Sequence, residues 1–210
     1  LLFDAADPNT PTALEEDRGQ ARLDYLRGRR DGEGTLQGFR LRSTVLGDLI
    51  NSDPLFVGPP AFPESIGANT SEQSAYITFR RNHANRGAVI AVGGNDGLLH
   101  LFSAAGGAEV LAYLPNAVFA EVGQLSERSY NGNHRYYVDG SPTAGDVLLG
   151  GSWRTVLVGG LRGGGTGYFA LDITDPTQFA EFMEHEDQTM SLAMSTIDHQ
   201  PPEGLPLRSV

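Results

Sequence analysis

Apolar residues in this chain come in short runs separated by glycine-rich turns, which is the pattern of strands rather than helices. The run from Val89 to Val92 is continuous and rich in β-branched residues, predicting a strand buried on both faces. Asn95, Asp96 and Gly97 follow, residues that tolerate positive φ and so predict a chain reversal. Residues 98–102 run back, Gly106-Gly107 marks the next turn, and 110–113 form a further apolar run. The plan then recurs. An apolar run at 155–158 leads into a turn containing Gly163, Gly165 and Gly167; the run 168–171 ends at a turn with Asp172 and Asp175, and 179–183 follows. Val-Gly-Gly stands at both 92–94 and 158–160.

The segment 136–147 mirrors the one around Ser52-Asp53-Pro54, so each unit has up to four strands. The first takes 45–58, 88–93, 98–103 and 110–113; the second takes 136–147, 154–160, 167–172 and 179–183. Two four-stranded antiparallel units in tandem predict an all-β fold, a partial β-propeller of about two quinoprotein-like blades with short peripheral helices. The predicted organisation is an irregular and helical lead-in (1–38), propeller blades (39–183) and an irregular tail (184–210). Thr12 with Glu15 makes a capping box for a helix over 13–27. Residues 115–125 predict a second helix, with Val118, Phe119, Val122 and Leu125 on one face. Residues 59–86 read as an insertion carrying one more short strand at 76–79.

Composition narrows the function. With 210 residues the chain can bury a sizeable core, and 27 glycines fit many strands joined by tight turns. A net charge of −11 argues against nucleic acid as a partner. All 15 basic residues are arginine, which excludes a Walker-type phosphate loop and lysine Schiff-base chemistry. The absence of cysteine excludes disulfides, thiol catalysis and cysteine zinc sites. No apolar run has the length of a membrane span. The chain opens Leu-Leu-Phe, and it reads as a piece of a longer protein.

Candidate chemistry is thin. Asp96 has no acids at alternate positions after it, so a structural turn is favoured over a calcium loop. The glycines at 163–167 precede a strand where a phosphate cradle needs a helix, which makes them a wide hairpin turn. Asp172 and Asp175 flank a strand end and suit Asx-type turns. Ser141, His134 and Asp139 are the residue types of a hydrolytic triad, but Pro142 after the serine breaks the nucleophile-elbow pattern. His185-Glu186 lacks the second histidine of a zincin. Arg29-Arg30 and the acids at 184–187 read as solvated charge. Phe102, Tyr113, Tyr136, Tyr137, Trp153, Tyr168 and Phe169 read as inter-blade packing rather than a stacking platform. No catalytic, cofactor or metal residue is assigned.

Several stretches occur together and in order: Arg22 to Gly28, Phe39 to Ser43, Leu46 to Pro54, Gly94 to Phe102, His134 to Thr143 and Gly160 to Pro176. As a set they resemble the C-terminal β-propeller of PilY-type type IV pilus biogenesis factors. The resemblance implies a non-enzymatic pilus biogenesis and surface adhesion module. It implies partners among pilus components such as minor pilins, and the host surface. It also implies an exported protein at the cell surface, pilus tip or outer membrane. The family's calcium loop of spaced aspartates lies farther along its propeller, and no stretch here has that spacing, so no cofactor is expected in this segment. Two readings stay open beside it: the propeller of a pyrroloquinoline-quinone-dependent dehydrogenase, and a scaffold propeller of an outer-membrane complex.

Overall fold

The computed structural model describes residues 13–36, 38–61 and 70–176. Strands β1 (Leu55–Val57), β2 (Val89–Gly93), β3 (Leu99–Ser103) and β4 (Glu109–Tyr113) form one antiparallel sheet in chain order. Strands β5 (Thr143–Leu149), β6 (Ser152–Gly160) and β7 (Tyr168–Asp172) form a second on the same plan. The strand expected at 179–183 lies outside the described residues. Both sheets begin immediately after a proline, Pro54 or Pro142, whose missing N–H prevents an earlier start to the ladder. The segments 45–54 and 136–142 are therefore not strands, contrary to expectation.

Helix α1 (Ala13–Leu26) stands where capping and pattern predicted it. The strand expected at 76–79 is instead part of helix α2 (Thr70–Asn82). Tyr76 and Phe79 are both buried, three residues apart, a helical spacing that a four-residue window cannot distinguish from alternation. Glu72 in the first turn and Arg80 and Arg81 in the last complement the helix dipole. The helix expected at 115–125 is broken into 3-10 turns, Asn116–Val118 and Val122–Ser126, with a third at Arg128–Gly132. Val118, Val122 and Leu125 still reach the core, while Phe119 faces outward.

The core lies between the two sheets. Cross-strand register places Leu55, Val57, Val89, Ala91, Leu99, Leu101, Leu111 and Tyr113 on one face of the first sheet. Leu157 and Phe169 of the second sheet and Ile173 join that cluster, and the rings of Tyr113 and Phe169 meet at 5.2 Å. Trp153 packs edge-on against Tyr76, at 4.6 Å between ring centroids.

Register also fixes how the two units correspond. Leu55, just after Pro54, pairs with Ala91; Thr143, just after Pro142, pairs with Val158. Ala91 is thus the counterpart of Val158, and the two Val-Gly-Gly runs are one residue out of structural register. The ladders end at equivalent positions, Gly93↔Leu99 and Gly160↔Tyr168, but Gly93 is the first glycine of its run and Gly160 the second, and the turn after Gly160 is longer. One residue matters, because it exchanges the faces of a strand.

Candidate functional site

The polar side chains concentrate at one end of the sheets, where the β2–β3 turn meets residues 44–53 and 130–141. Asn95 organises this end. Its N–H donates to the Asp48 carbonyl at 3.1 Å, its Nδ2 to the Asp48 carboxylate at 2.9 Å, and its Oδ1 accepts the Tyr137 N–H at 3.1 Å. Asp96 accepts the N–H groups of Gly47 (2.7 Å) and Leu98 (3.3 Å). Of the three turn residues only Gly97 takes positive φ, at 92°. A side chain there would also strike Val122. Asn95 and Asp96 act through their side chains, not through left-handed backbone.

His100 on β3 is the group that sequence reasoning missed. It is buried, its Nε2 3.1 Å from Asp96 and its Nδ1 2.5 Å from Glu109 on β4. Burial is the largest influence and disfavours its charge, but the hydrogen bonds to Asp96 and Glu109 outweigh it and raise the pKa to about 9. At neutral pH both ring nitrogens are donors, so this imidazole serves as a charged strut and has no free lone pair for base catalysis. The spacing of Asp96 to His100 was a signal; Glu109 becomes a neighbour only through strand pairing.

A cleft of about 330 Å³ opens beside this hub, lined among others by Arg40, Val45, Asp48, Tyr130 and His134. Arg40, Asp48 and His134 on its wall already have partners. Arg40 lies 4.8 Å over the Tyr130 ring and donates to the Leu125 carbonyl and Asn131. His134 pairs with Asp48 at 3.0 Å. Burial opposes ionisation of Asp48, yet the bonds from Asn95 and His134 hold its carboxyl below the usual range.

The three triad-type residues are not assembled. Ser141 Oγ accepts the Asp53 N–H at 2.9 Å, His134 is held by Asp48, and Asp139 accepts Asn51 Nδ2 at 2.8 Å. The glycine turn forms a 3-10 turn at Arg162–Gly164, with Arg162 at φ 47° and Gly165 at φ 143°. Gly163 packs against Asp139 and Tyr136, and Gly167 against Leu161. Asp172 accepts the N–H and hydroxyl of Thr174, an Asx turn, and pairs with Arg154 at 2.5 Å. Burial works against that carboxylate, but the Thr174 and Arg154 bonds keep its pKa low. Asp175 lies in the bend beyond β7, where its charge favours the half-buried Arg86 cation. Arg29 pairs with Asp24 and Asp31, and Arg30 with Glu33. His185 and the acids at 184–187 lie outside the described residues. Among the described residues no group of three or more His, Asp or Glu side chains could hold a metal ion, and no helix is long and apolar enough to cross a membrane.

A protein-family model described as the PilY1 beta-propeller domain matches residues 46–188. A type IV pilus biogenesis factor PilY1 from Pseudomonas aeruginosa (strain PAK) is 43% identical over 164 residues, covering 78% of this chain. A PilY1 homolog from Xylella fastidiosa (strain Temecula1) is 45% identical over 170 residues, covering 79%. The chain spans only 14% of the length of either relative. The crystal structure of the P. aeruginosa PilY1 C-terminal domain is 43% identical, with a TM-score of 0.44 over 58% of this chain and 23% of that one. With the family match covering most of the chain and curated relatives well above 30% identity, this chain belongs to the PilY1 β-propeller domain family.

Proposed function

We propose that the chain is a non-enzymatic segment of a type IV pilus biogenesis and adhesion module. It works at the cell surface or pilus tip, with minor pilins and the host surface as partners. The observation that carries this reading is the match to curated PilY1 relatives across 78% of the chain. The site geometry supports the non-enzymatic part. His100 is saturated by two carboxylates, and Ser141, His134 and Asp139 each bond to a different partner. Nothing in the arrangement favours the quinone-dehydrogenase or outer-membrane scaffold alternatives. We propose further that this segment itself holds no cofactor, any calcium of the full-length propeller being bound by other residues.

The test replaces this segment, in a full-length protein of the family, with a spacer of equal length. Surface pili and adherence should fall together, and the intact 210-residue chain, given quinone and calcium, should reduce dye with alcohol no faster than a heat-killed control. Normal piliation and adherence without the segment, or turnover above that control, would overturn the proposal.

A further inference from the structure

A second cleft, of about 400 Å³, lies where the glycine turn after β6 meets residues 135–137 and the 3-10 segments that follow β4. That volume is in the range of small-molecule sites, about 300–1,000 Å³. One side of it is bare backbone at Gly163 and Gly164. A Cβ on Gly164 would stand 1.8 Å from the Tyr137 carbonyl oxygen, and one on Gly163 would stand 3.1 Å from the Tyr136 ring. Glycine at both positions lets the turn lie directly against residues 136–137.

The side chains on the other walls are Tyr136, Arg135 and Glu121. Tyr136, a packing residue on the sequence pattern, is instead 41% exposed. Arg135 and Glu121 pair with each other, and both side chains are half exposed. Glu121 uses Oε2 for that pair and for Gln124, which leaves Oε1 an open acceptor among the described residues. Arg135 uses Nη1, which leaves Nε and Nη2 as open donors there. The backbone behind these groups is fixed. The Tyr130 hydroxyl donates to the Arg135 carbonyl and the Tyr137 hydroxyl to the Glu121 carbonyl, each at 3.2 Å. The Tyr137 N–H is held by Asn95. The cleft is therefore preorganised, which lowers the cost of binding.

These groups select a class of ligand. An ion pair has no net charge, so a charged ligand gains nothing overall and must compete with the pair. The net charge of −11 on the chain further disfavours anions. A hydroxyl both donates and accepts, and so suits an open carboxylate oxygen beside open guanidinium N–H groups. An exposed aromatic ring suits a flat apolar face. A pyranose carries both, hydroxyls around its rim and C–H bonds across its face. We propose that this cleft binds a neutral saccharide, with one pyranose ring stacked on Tyr136 and its hydroxyls bonded to Glu121 and Arg135. The site goes beyond the pilus reading and does not rest on it.

Saturation-transfer NMR on the 210-residue chain tests this, with galactose, glucose, N-acetylglucosamine and lactose as probes. At least one should receive saturation at its ring C–H protons. Tyr136→Phe should keep the affinity, Tyr136→Ala should lower it about tenfold, and Glu121→Gln should lower it several-fold. Fluorescence of Trp153, the one tryptophan of the chain, checks that each variant is folded. Sialyl-lactose should bind no more tightly than lactose. No transfer to any of the four sugars, or transfer unaffected by Tyr136→Ala, would overturn the proposal. So would tighter binding of sialyl-lactose, or binding of a proline-rich peptide at Tyr136 with no sugar signal. Such a failure would leave the pilus reading intact, because piliation is scored on cells carrying the full-length protein.

Discussion

At the scale of single residues, His100 carries the sharpest expectation. Its pKa is about 9 in the fold against an ordinary value near 6.5. A raised histidine pKa stabilises fully below the unfolded value, and that contribution is lost as pH rises through the folded one. Over this window the loss is roughly 3 kcal/mol, since each pKa unit is worth about 1.36 kcal/mol. The melting temperature should therefore decline from about pH 6.5 to pH 9, and His100→Gln should flatten that decline while lowering stability at pH 6. Melts at half-unit pH steps decide it; an unchanged slope in the variant would show that His100 is not the titrating group. The turn at 95–97 was legible because Asn-Asp-Gly is a local signal. The uses of Asp96 and Asn95 were not, since Gly47, Asp48 and Tyr137 arrive from segments 42 to 49 residues away.

At the scale of elements, polar side chains help to hold α1 against the 3-10 segment Val122–Ser126 and α2 against the second sheet. Arg42, buried, stacks 3.7 Å over the Tyr25 ring, pairs with Glu33 and donates to the carbonyls of Tyr25 and Arg29. Arg22 Nε donates to Ser126 Oγ at 3.0 Å, tying α1 to the 3-10 segment. The family match starts at residue 46, yet this earlier stretch is part of the packed unit. Arg42→Ala should destabilise by about 2 kcal/mol, because it removes the buried cation of the Glu33 pair, takes the donor from the Arg29 carbonyl and empties the space over the Tyr25 ring, while Arg30 still pairs with Glu33 and the Gly28 N–H still reaches the Tyr25 carbonyl. Chemical denaturation measures this, and a loss under about 1 kcal/mol would mean the α1 clasp is peripheral. On α2, the Tyr76 hydroxyl donates to Asp146 at 2.6 Å, and Thr155 Oγ1 donates to the other carboxylate oxygen at 2.6 Å. Arg86 extends the network to Thr155, the Thr174 carbonyl and the Gly58 carbonyl, linking the end of β1 to the second sheet. Tyr76→Phe removes one charge-assisted bond and should cost about 1.5–3 kcal/mol by the same measurement; no loss would mean water replaces the hydroxyl. Strand pairs with tight turns could be read from the chain because their signals are local. Helix α2 could not, since the residues that Tyr76 contacts are contributed by β5 and β6.

At the scale of the whole molecule, Val147, Leu149, Val158 and Tyr168 are exposed on one face of the second sheet, beside the Arg154–Asp172 pair, and a net charge of −11 opposes their apolar attraction. Copies of the chain approaching through Val158, Leu149 and Tyr168 must bring two strongly acidic bodies together. Coulomb repulsion between exposed charges is screened over about 10 Å at 0.1 M salt and about 3 Å at 1 M, whereas apolar contact is not screened at all. Self-association of the 210-residue chain should therefore increase with salt, the reverse of what surface ion pairs would give. Light scattering between about 0.02 and 1 M sodium chloride should show the apparent mass rising, and Val158→Glu should suppress the rise. A mass that falls with salt would assign the association to ion pairs. A constant monomer mass throughout would mean that the face on β5, β6 and β7 does not self-associate.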